Sequence, residues 1–276
     1  MKISDAEFIR LRDFMYKKFG INLAEKRVLI EGRLSATLTK RGYTDFGSYI
    51  DDMMRDTTGK EVSLLVSKLT TNFTFFLREE GHYDFLKKNV FPQWKADVYR
   101  KSRKIWSAAC SSGEEPYSLA MVMSDYFGPG PAAQIKIDAS DISDHVMDQA
   151  KAGLYTADRI SKLPKTWIPR FFDKKEGDKY QIKPQLKSMI QYRYFNLNDL
   201  AHWPINAYEV IFCRNVMIYF DQPTRQALSK RLYNALKPGG YLIIGMSETL
   251  VNLNTDLKYV QPSVYMREEK KPTGLL

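Results

Sequence analysis

Residues 104–118 read KIWSAACSSGEEPYS. The run opens as an apolar strand over Lys104–Ala109. It then passes through a turn of small residues and enters a helix that reaches Phe127. Pro116 sits near the helix start, where proline is tolerated. A strand feeding a helix through such a turn is the unit of an α/β sheet, and the chain repeats it. Ile135–Ala139 predicts a second strand and Asp144–Ala152 a helix. Tyr208–Cys213 (YEVIFC) is nearly all apolar, as expected for a strand buried on both faces. Pro223–Leu236 predicts a helix stopped by Lys237-Pro238-Gly239-Gly240, and Tyr241–Gly245 (YLIIG) another strand. The alternation predicts a doubly wound, mostly parallel α/β sheet. Between residues 154 and 195 the pattern weakens. A hairpin around Glu176-Gly177-Asp178 predicts a small β insertion near 171–190. The polar tail after Arg267 is expected to fray.

Upstream, the first 70 residues read as four short helices. Ser4 and Glu7 have capping-box spacing, with Phe8, Leu11 and Met15 at helical steps behind them and Gly20 as the stop. A second helix, from about Glu25 to Lys40, carries Ile30, Leu34 and Leu38, and Gly42 ends it. Asp45 can cap a third with Phe46, Tyr49, Ile50 and Met53. A fourth carries Val62, Leu65, Val66 and Leu69. The organisation expected is a helical domain at 1–70, a linker at 71–90, and an α/β domain at 91–270.

The 276 residues are 44% hydrophobic and 27% charged, enough for a core. No apolar run approaches the roughly 20 residues of a membrane-spanning helix, and MKISDAEFIR lacks a signal-peptide pattern. Two cysteines, Cys110 and Cys213, exclude a disulfide framework and a cysteine-rich zinc site. A cytoplasmic protein without a metal is expected. The net charge of +10 predicts an acidic partner, without choosing among nucleic acid, membrane and protein.

Four stretches carry polar groups to places where ligands bind. In SAACSSGEEPYS the small residues let a ligand approach a helix start. Only Gly113 is present where dinucleotide folds carry GxGxxG, and Glu114 and Glu115 would repel a phosphate. Those carboxylates would accept an ammonium or sulfonium group, so the ligand reads as a nucleoside with a positive end. The alternative is that they simply favour the helix N-terminus. Asp141, after the second strand, is placed for ribose hydroxyls or for a helix cap, with Asp144 the better cap candidate. CRNVMIYF (213–220) delivers Arg214, Asn215 and Tyr219 to the carboxyl edge of the sheet, or is an ordinary polar loop. LTTNFTFFLR (69–78) interleaves Asn72, Thr74 and Arg78 with aromatics. It reads as an extended segment that packs on the sheet or closes over a ligand.

Taken together, SAACSSGEEPYSLA, ASDIS, IFCRNVMIYF, LKPGGYLIIGMSE and LTTNFTFFLRE resemble the CheR family over roughly residues 4–267. These are S-adenosylmethionine-dependent methyltransferases that esterify glutamate side chains of chemotaxis receptors. The resemblance implies a seven-stranded methyltransferase sheet with a small N-terminal helical domain and a β insertion. It implies cofactor-binding roles for Asn72, Thr74, Arg78, Glu115, Asp141, Asn196, Leu197, Arg214 and Asn215, and catalytic roles for Arg78 and Tyr219. One departure is Phe76-Leu77, where the family usually has Phe-Phe before the arginine. The product nucleoside would be S-adenosylhomocysteine.

The chemistry is compatible with these residues. A glutamate is already ionised at neutral pH, so no general base is needed, and the enzyme's task is positioning. Residues 26–41 hold Lys26, Arg27, Arg33, Lys40 and Arg41 against one acid, Glu31. They read either as a solvated helix face or, as the resemblance implies, as a dock for acidic helical segments of a receptor cytoplasmic domain. The expected enzyme is a monomer, cytoplasmic and recruited to receptor arrays, without nucleic acid or membrane insertion. A nucleic-acid methyltransferase is the rival on charge. However, the edge reads Arg-Asn-Val-Met-Ile-Tyr instead of Asn/Asp-Pro-Pro-aromatic, and neither cysteine follows a proline. A non-catalytic scaffold would not need Arg78, Asn215 and Tyr219. A dehydrogenase would need the missing glycine fingerprint.

Overall fold

The computed structural model describes residues 1–97, 99 and 101–269, and most of the expected frayed tail, Lys270–Leu276, lies outside them. Four helices open the chain: α1 (Asp5–Phe19), α2 (Arg27–Lys40), α3 (Phe46–Arg55) and α4 (Lys60–Leu69). Their ends follow local chemistry. Ser4 and Glu7 form a complete capping box on α1, Gly20 ends it in the left-handed conformation, and the Asp45 side chain accepts the Ser48 N–H on α3. A helical run over 81–95 leads into the sheet.

The main sheet holds seven strands: β1 (Arg103–Ser107), β2 (Ile135–Asp141), β6 (Ile190–Tyr194), β7 (Tyr208–Cys213), β8 (Leu236–Ile244), β9 (Lys258–Gln261) and β10 (Val264–Met266). Their order is β6-β2-β1-β7-β8-β10-β9. The β6, β2, β1, β7 and β8 strands pair in parallel, and β10 is antiparallel to both its neighbours. A second sheet, β3 (Leu154–Thr156), β5 (Lys179–Ile182) and β4 (Phe172–Lys174), forms the insertion. It contains the expected hairpin plus a third strand that sequence patterning did not mark. The longer helices between strands are α5 (Glu114–Phe127), α6 (Asp144–Ala152) and α7 (Gln222–Ala235).

Two local expectations change. Lys237-Pro238-Gly239-Gly240 does not merely stop a helix; it belongs to β8. The Gly239 N–H donates to the Arg267 carbonyl and the Arg267 N–H to that of Gly240, so the residue after β10 extends its pairing with β8. Ser143, not Asp144, precedes the first turn of α6, and it makes no side-chain cap bond.

The order of strands reverses at β1, which has β2 and β6 on one side and β7 and β8 on the other. The crevice at the carboxyl ends of β1 and β7 is where such sheets bind ligands. One apolar cluster runs without a break from Leu11, Phe19, Leu34 and Ile50 of the helices to Trp106, Ile211 and Leu242 of the sheet. The helical layer therefore shares its core with one sheet face. On the other face, Glu114–Ser124 of α5 are all buried, beneath a cover that includes the insertion. Among the described residues, no helix is long and apolar enough to cross a membrane.

His82 is sealed in this second layer. Its ring lies edge-on to Phe212, with Nε2 2.6 Å from the Ser263 hydroxyl and Nδ1 3.5 Å from Glu79. Burial first, and the nearby Arg214 charge second, lower its pKa to about 4, against the opposing pull of Glu79. The unfolded chain takes up this proton near pH 6.5 and the folded chain only near 4. Stability is thus lost as pH falls from 6.5 to 4, by about 3 kcal/mol from this group. Urea denaturation of the wild type and His82→Gln at pH 7 and pH 5 should show a smaller loss in the variant. An equal loss in both would exclude His82 as the source.

Candidate functional site

A cavity of about 220 Å³ opens at the β1/β7 crevice. Its walls come from the linker 70–78, the β1–α5 turn, the end of β2, the stretch 195–197 and the loop after β7, with Phe19 and Ile21 closing one side. Asn72, Thr74, Arg78, Glu115, Asp141, Asn196, Leu197, Arg214, Asn215 and Tyr219 all line it. These residues span nearly 150 positions of sequence, and the strand order brings them together.

The β1–α5 turn is shaped by lack of room. Gly113 has φ +95°, and a Cβ there would lie 2.9 Å from the Ala150 Cβ and from the Tyr155 hydroxyl. Only glycine meets both demands. Ser111, also at positive φ (48°), donates its N–H to Asp141 Oδ2 at 2.9 Å. The Ser143 N–H reaches Asp141 Oδ1 at 3.1 Å. Asp141 thus holds two loops together and makes no ion pair among the described residues. Burial raises its pKa against the pull of those backbone donors.

Arg214 is the charged centre. It is 5% exposed. Its Nη1 donates to Glu115 Oε2 at 2.8 Å, and its Nη2 reaches Glu79 Oε2 at 3.1 Å and the Arg78 carbonyl. Burial opposes its charge, but the carboxylates and Tyr83 hold its pKa above the ordinary value. Ser107 donates to the other oxygen of Glu115 at 2.6 Å. Both Glu115 oxygens are therefore engaged, and its charge is offset. The carboxylate read from sequence as facing a cation already has one. Glu114 turns away from the cavity, fully buried, to pair with Arg159 of the insertion.

The linker is strapped down from both sides. The Arg78 guanidinium donates to the Phe73 carbonyl at 2.7 Å and stands over the rings of Phe73 and Phe75. Leu77 and Glu79, on either side of it, have positive φ. Glu79 accepts the Met246 N–H at 3.1 Å. Burial opposes its ionisation, but Arg214 more than compensates and holds its pKa below the usual value. The Tyr219 hydroxyl accepts the Thr71 N–H at 2.7 Å and faces the Thr71 carbonyl at 3.3 Å. Asn72 leans toward Ser67 at the end of α4, and Asn196 donates to the Lys18 carbonyl at 2.7 Å. Thr74 and Leu197 add wall, and Asn215 takes the left-handed conformation.

Sequence reading missed Glu79 and Glu248. Glu248 accepts the N–H groups of Asn215 (2.8 Å), Gly245 (2.7 Å) and Met217 (2.7 Å), so it ties the loops after β7 and β8 together. A Cβ on Gly245 would meet Asn215 Nδ2 at 2.5 Å, so these loops touch directly. Glutamate at both positions was visible, but nothing local announced a partner. The basic residues of α2 divide. Arg33 donates to the carbonyls of Lys68, Leu69 and Thr70 and to the Thr71 hydroxyl, closing the end of α4. Arg41 forks onto Glu61, and Arg27 pairs with Asp5. Lys26 and Lys40 are exposed, with no ion pair among the described residues.

Comparison with known proteins agrees along the whole length. A family model described as CheR methyltransferase, SAM binding domain, matches residues 72–266, and one described as CheR methyltransferase, all-alpha domain, matches residues 6–70. A chemotaxis protein methyltransferase of Borreliella burgdorferi is 39% identical over 272 residues, covering 97% of this chain and 96% of that protein. One from Escherichia coli is 34% identical over 269 residues, covering 96% and 92%. Chemotaxis protein methyltransferase 1 of Pseudomonas aeruginosa is 35% identical over 270 residues, covering 95% and 97%.

The Arg214 network makes a stability prediction. Arg214→Met should leave the buried Glu115 without a cation, and Glu79 with only Arg78 at 3.9 Å, and cost about 3–5 kcal/mol in chemical denaturation. Adding Glu115→Gln to Arg214→Met should recover part of that loss. Full additivity of the two changes would mean that the pair is not coupled.

Proposed function

Since the chain belongs to the CheR methyltransferase family, we propose that it moves a methyl group from S-adenosylmethionine to glutamate side-chain carboxylates of chemotaxis receptors. The products are the glutamate methyl ester and S-adenosylhomocysteine. The observation that carries this reading is the meeting of Arg78, Glu115, Asp141 and Tyr219 in one cavity at the strand-order reversal.

The cavity suits a nucleoside with a positive end. Asp141 is a partly buried carboxylate with no cation beside it among the described residues, placed to accept ribose hydroxyls. Ile142, Leu197 and Phe195 offer apolar surface for a base. Asn72, Thr74, Asn196 and Asn215 add neutral donors and acceptors around it. The methyl group arrives already activated by its sulfonium.

What remains for the chain is to orient and dry a carboxylate that is already ionised. Arg78, at the cavity wall, holds that carboxylate by a hydrogen bond. Attack on the methyl group removes the negative charge from the acceptor, so a strong salt bridge would favour the ground state over the transition state. Arg78 is suited to a weaker grip. Glu79 stands 3.9 Å from its Nε and the Phe73 carbonyl takes one of its donors. Tyr219 supplies a neutral second hydrogen bond. Its longer contact to the Thr71 carbonyl is the one that a substrate oxygen would replace.

The partner on this reading is an acidic helical segment of a receptor cytoplasmic domain, met by Lys26 and Lys40 on α2. The enzyme is a cytoplasmic monomer recruited to receptor arrays.

Incubation with labelled S-adenosylmethionine and receptor cytoplasmic fragments should place a base-labile label on glutamate. Arg78→Ala and Tyr219→Phe should lower turnover by about tenfold or more, with calorimetric cofactor affinity changed much less. Lost affinity at unchanged turnover would contradict these roles. Lys26→Glu combined with Lys40→Glu should raise KM for receptor fragments and leave cofactor affinity alone. Unchanged receptor methylation would refute docking on α2.

A further inference from the structure

We propose that Lys162 is a specificity residue that recognises a second carboxylate on the acceptor, close to the glutamate that is methylated. This deepens the function proposed above and rests on it.

The charge surplus has a location. Residues 151–187 hold ten Lys and Arg against four Asp and Glu, more than half of the chain's excess of +10. Much of that charge is engaged. Arg159 pairs with Glu114, Arg170 with Asp125 at 2.6 Å, and Lys183 lies 3.8 Å from Asp173. The Lys187 ammonium donates to the Ala152 carbonyl at 2.6 Å. Lys162 is exposed and has no carboxylate partner among the described residues.

Its position is distinctive. The Lys162 ammonium lies 5.3 Å from the centre of the Phe75 ring, and Phe75 lines the cavity. The Arg78 guanidinium lies 5.9 Å from the centre of the same ring. The two cations are thus separated by at most the sum of those distances, about 11 Å, which is about two turns of a helix. The base under Lys162 is firm. Ile160 and Leu163 on either side are buried, the Leu163 N–H donates to the Ile160 carbonyl at 3.0 Å, and Arg159 pins the segment to Glu114.

The occupant follows from charge. With one carboxylate of an acceptor helix at Arg78, a residue three, four or seven positions away on the same face comes within reach of Lys162. Phe73 and Ile218, which line the cavity, are exposed and apolar. They offer surface to the apolar flank of a helix. A glutamate or aspartate there would be drawn to Lys162, and a glutamine would not.

The test uses the full chain, labelled S-adenosylmethionine and receptor cytoplasmic fragments with one acceptor glutamate. The residues three, four and seven positions from it are acidic in one fragment and glutamine in the other. For the wild type, the acidic fragment should show a KM about three- to tenfold lower at similar kcat, the difference shrinking with salt. Lys162→Gln should erase that difference by raising KM for the acidic fragment. Lys162→Arg should keep it, and Lys162→Glu should invert it. A wild type indifferent to the flanking residues, or a Lys162→Gln protein that keeps the preference, overturns the proposal. If neither fragment is methylated, the glutamate methyltransferase reading itself fails, and Lys162 with it.

Discussion

Arg214 is buried against two carboxylates and a backbone carbonyl, and three segments of the chain meet on it. Through Glu115 it fixes the start of α5, through Glu79 and the Arg78 carbonyl it fixes the linker, and it extends β7 itself. A charge in that position carries a large desolvation cost, which only near-ideal geometry offsets. The chain accepts the cost, and the geometry that results is the site. The linker cannot slide without parting Glu79 from Arg214. Neither can α5 shift without doing the same to Glu115. Apolar residues of similar volume could hold these segments as firmly, but they would not fix the direction in which Arg78 and the cavity wall face.

This arrangement revises the electrostatics read from sequence. Two adjacent glutamates at a helix start suggest a negative crevice. In the folded chain Glu114 answers Arg159 and Glu115 answers Arg214, so neither is a free anion. Asp141 is the cavity carboxylate left with backbone donors alone. Attraction for a positive group then comes from a site near balance, with local negative character at one wall and Arg78 at another. On the proposed function, such a site separates its two ends: the Asp141 wall would take the cationic nucleoside and the Arg78 wall the anionic side chain.

How much was legible depended on whether the signal was local. The capping box at Ser4 and Glu7, the stop at Gly20 and the cap at Asp45 are contacts within a few residues, and they appear as the sequence indicated. The central strands were readable because they are buried on both faces. β3, β6, β9 and β10 were not, because strands of only three to five residues take their conformation from the partners they pair with. The same divide runs through the site. Residues at strand ends could be expected to face a ligand. Glu79 and Glu248 could not, since their partners lie 135 and 33 residues away at Arg214 and Asn215. Arg33 was legible as a charge on a helix, but not as the donor that closes α4.

The basic excess of the chain therefore does two kinds of work that composition alone merges. Arg27, Arg33, Arg41, Arg159 and Arg214 are engaged by carboxylates and carbonyls, and a planar fork of donors suits that use. Lysines such as Lys26, Lys40 and Lys162 remain outside, where a strongly hydrated point charge on a flexible stem loses little by staying in water. Arg33 and Arg214 hold the linker and the cavity wall, Arg159 holds Glu114, and Arg27 and Arg41 tie the N-terminal helices together. The exposed lysines leave positive charge at the surface that costs the fold almost nothing. On the proposed function, exchanging these lysines would change specificity for an acidic partner while the arginine contacts stay in place.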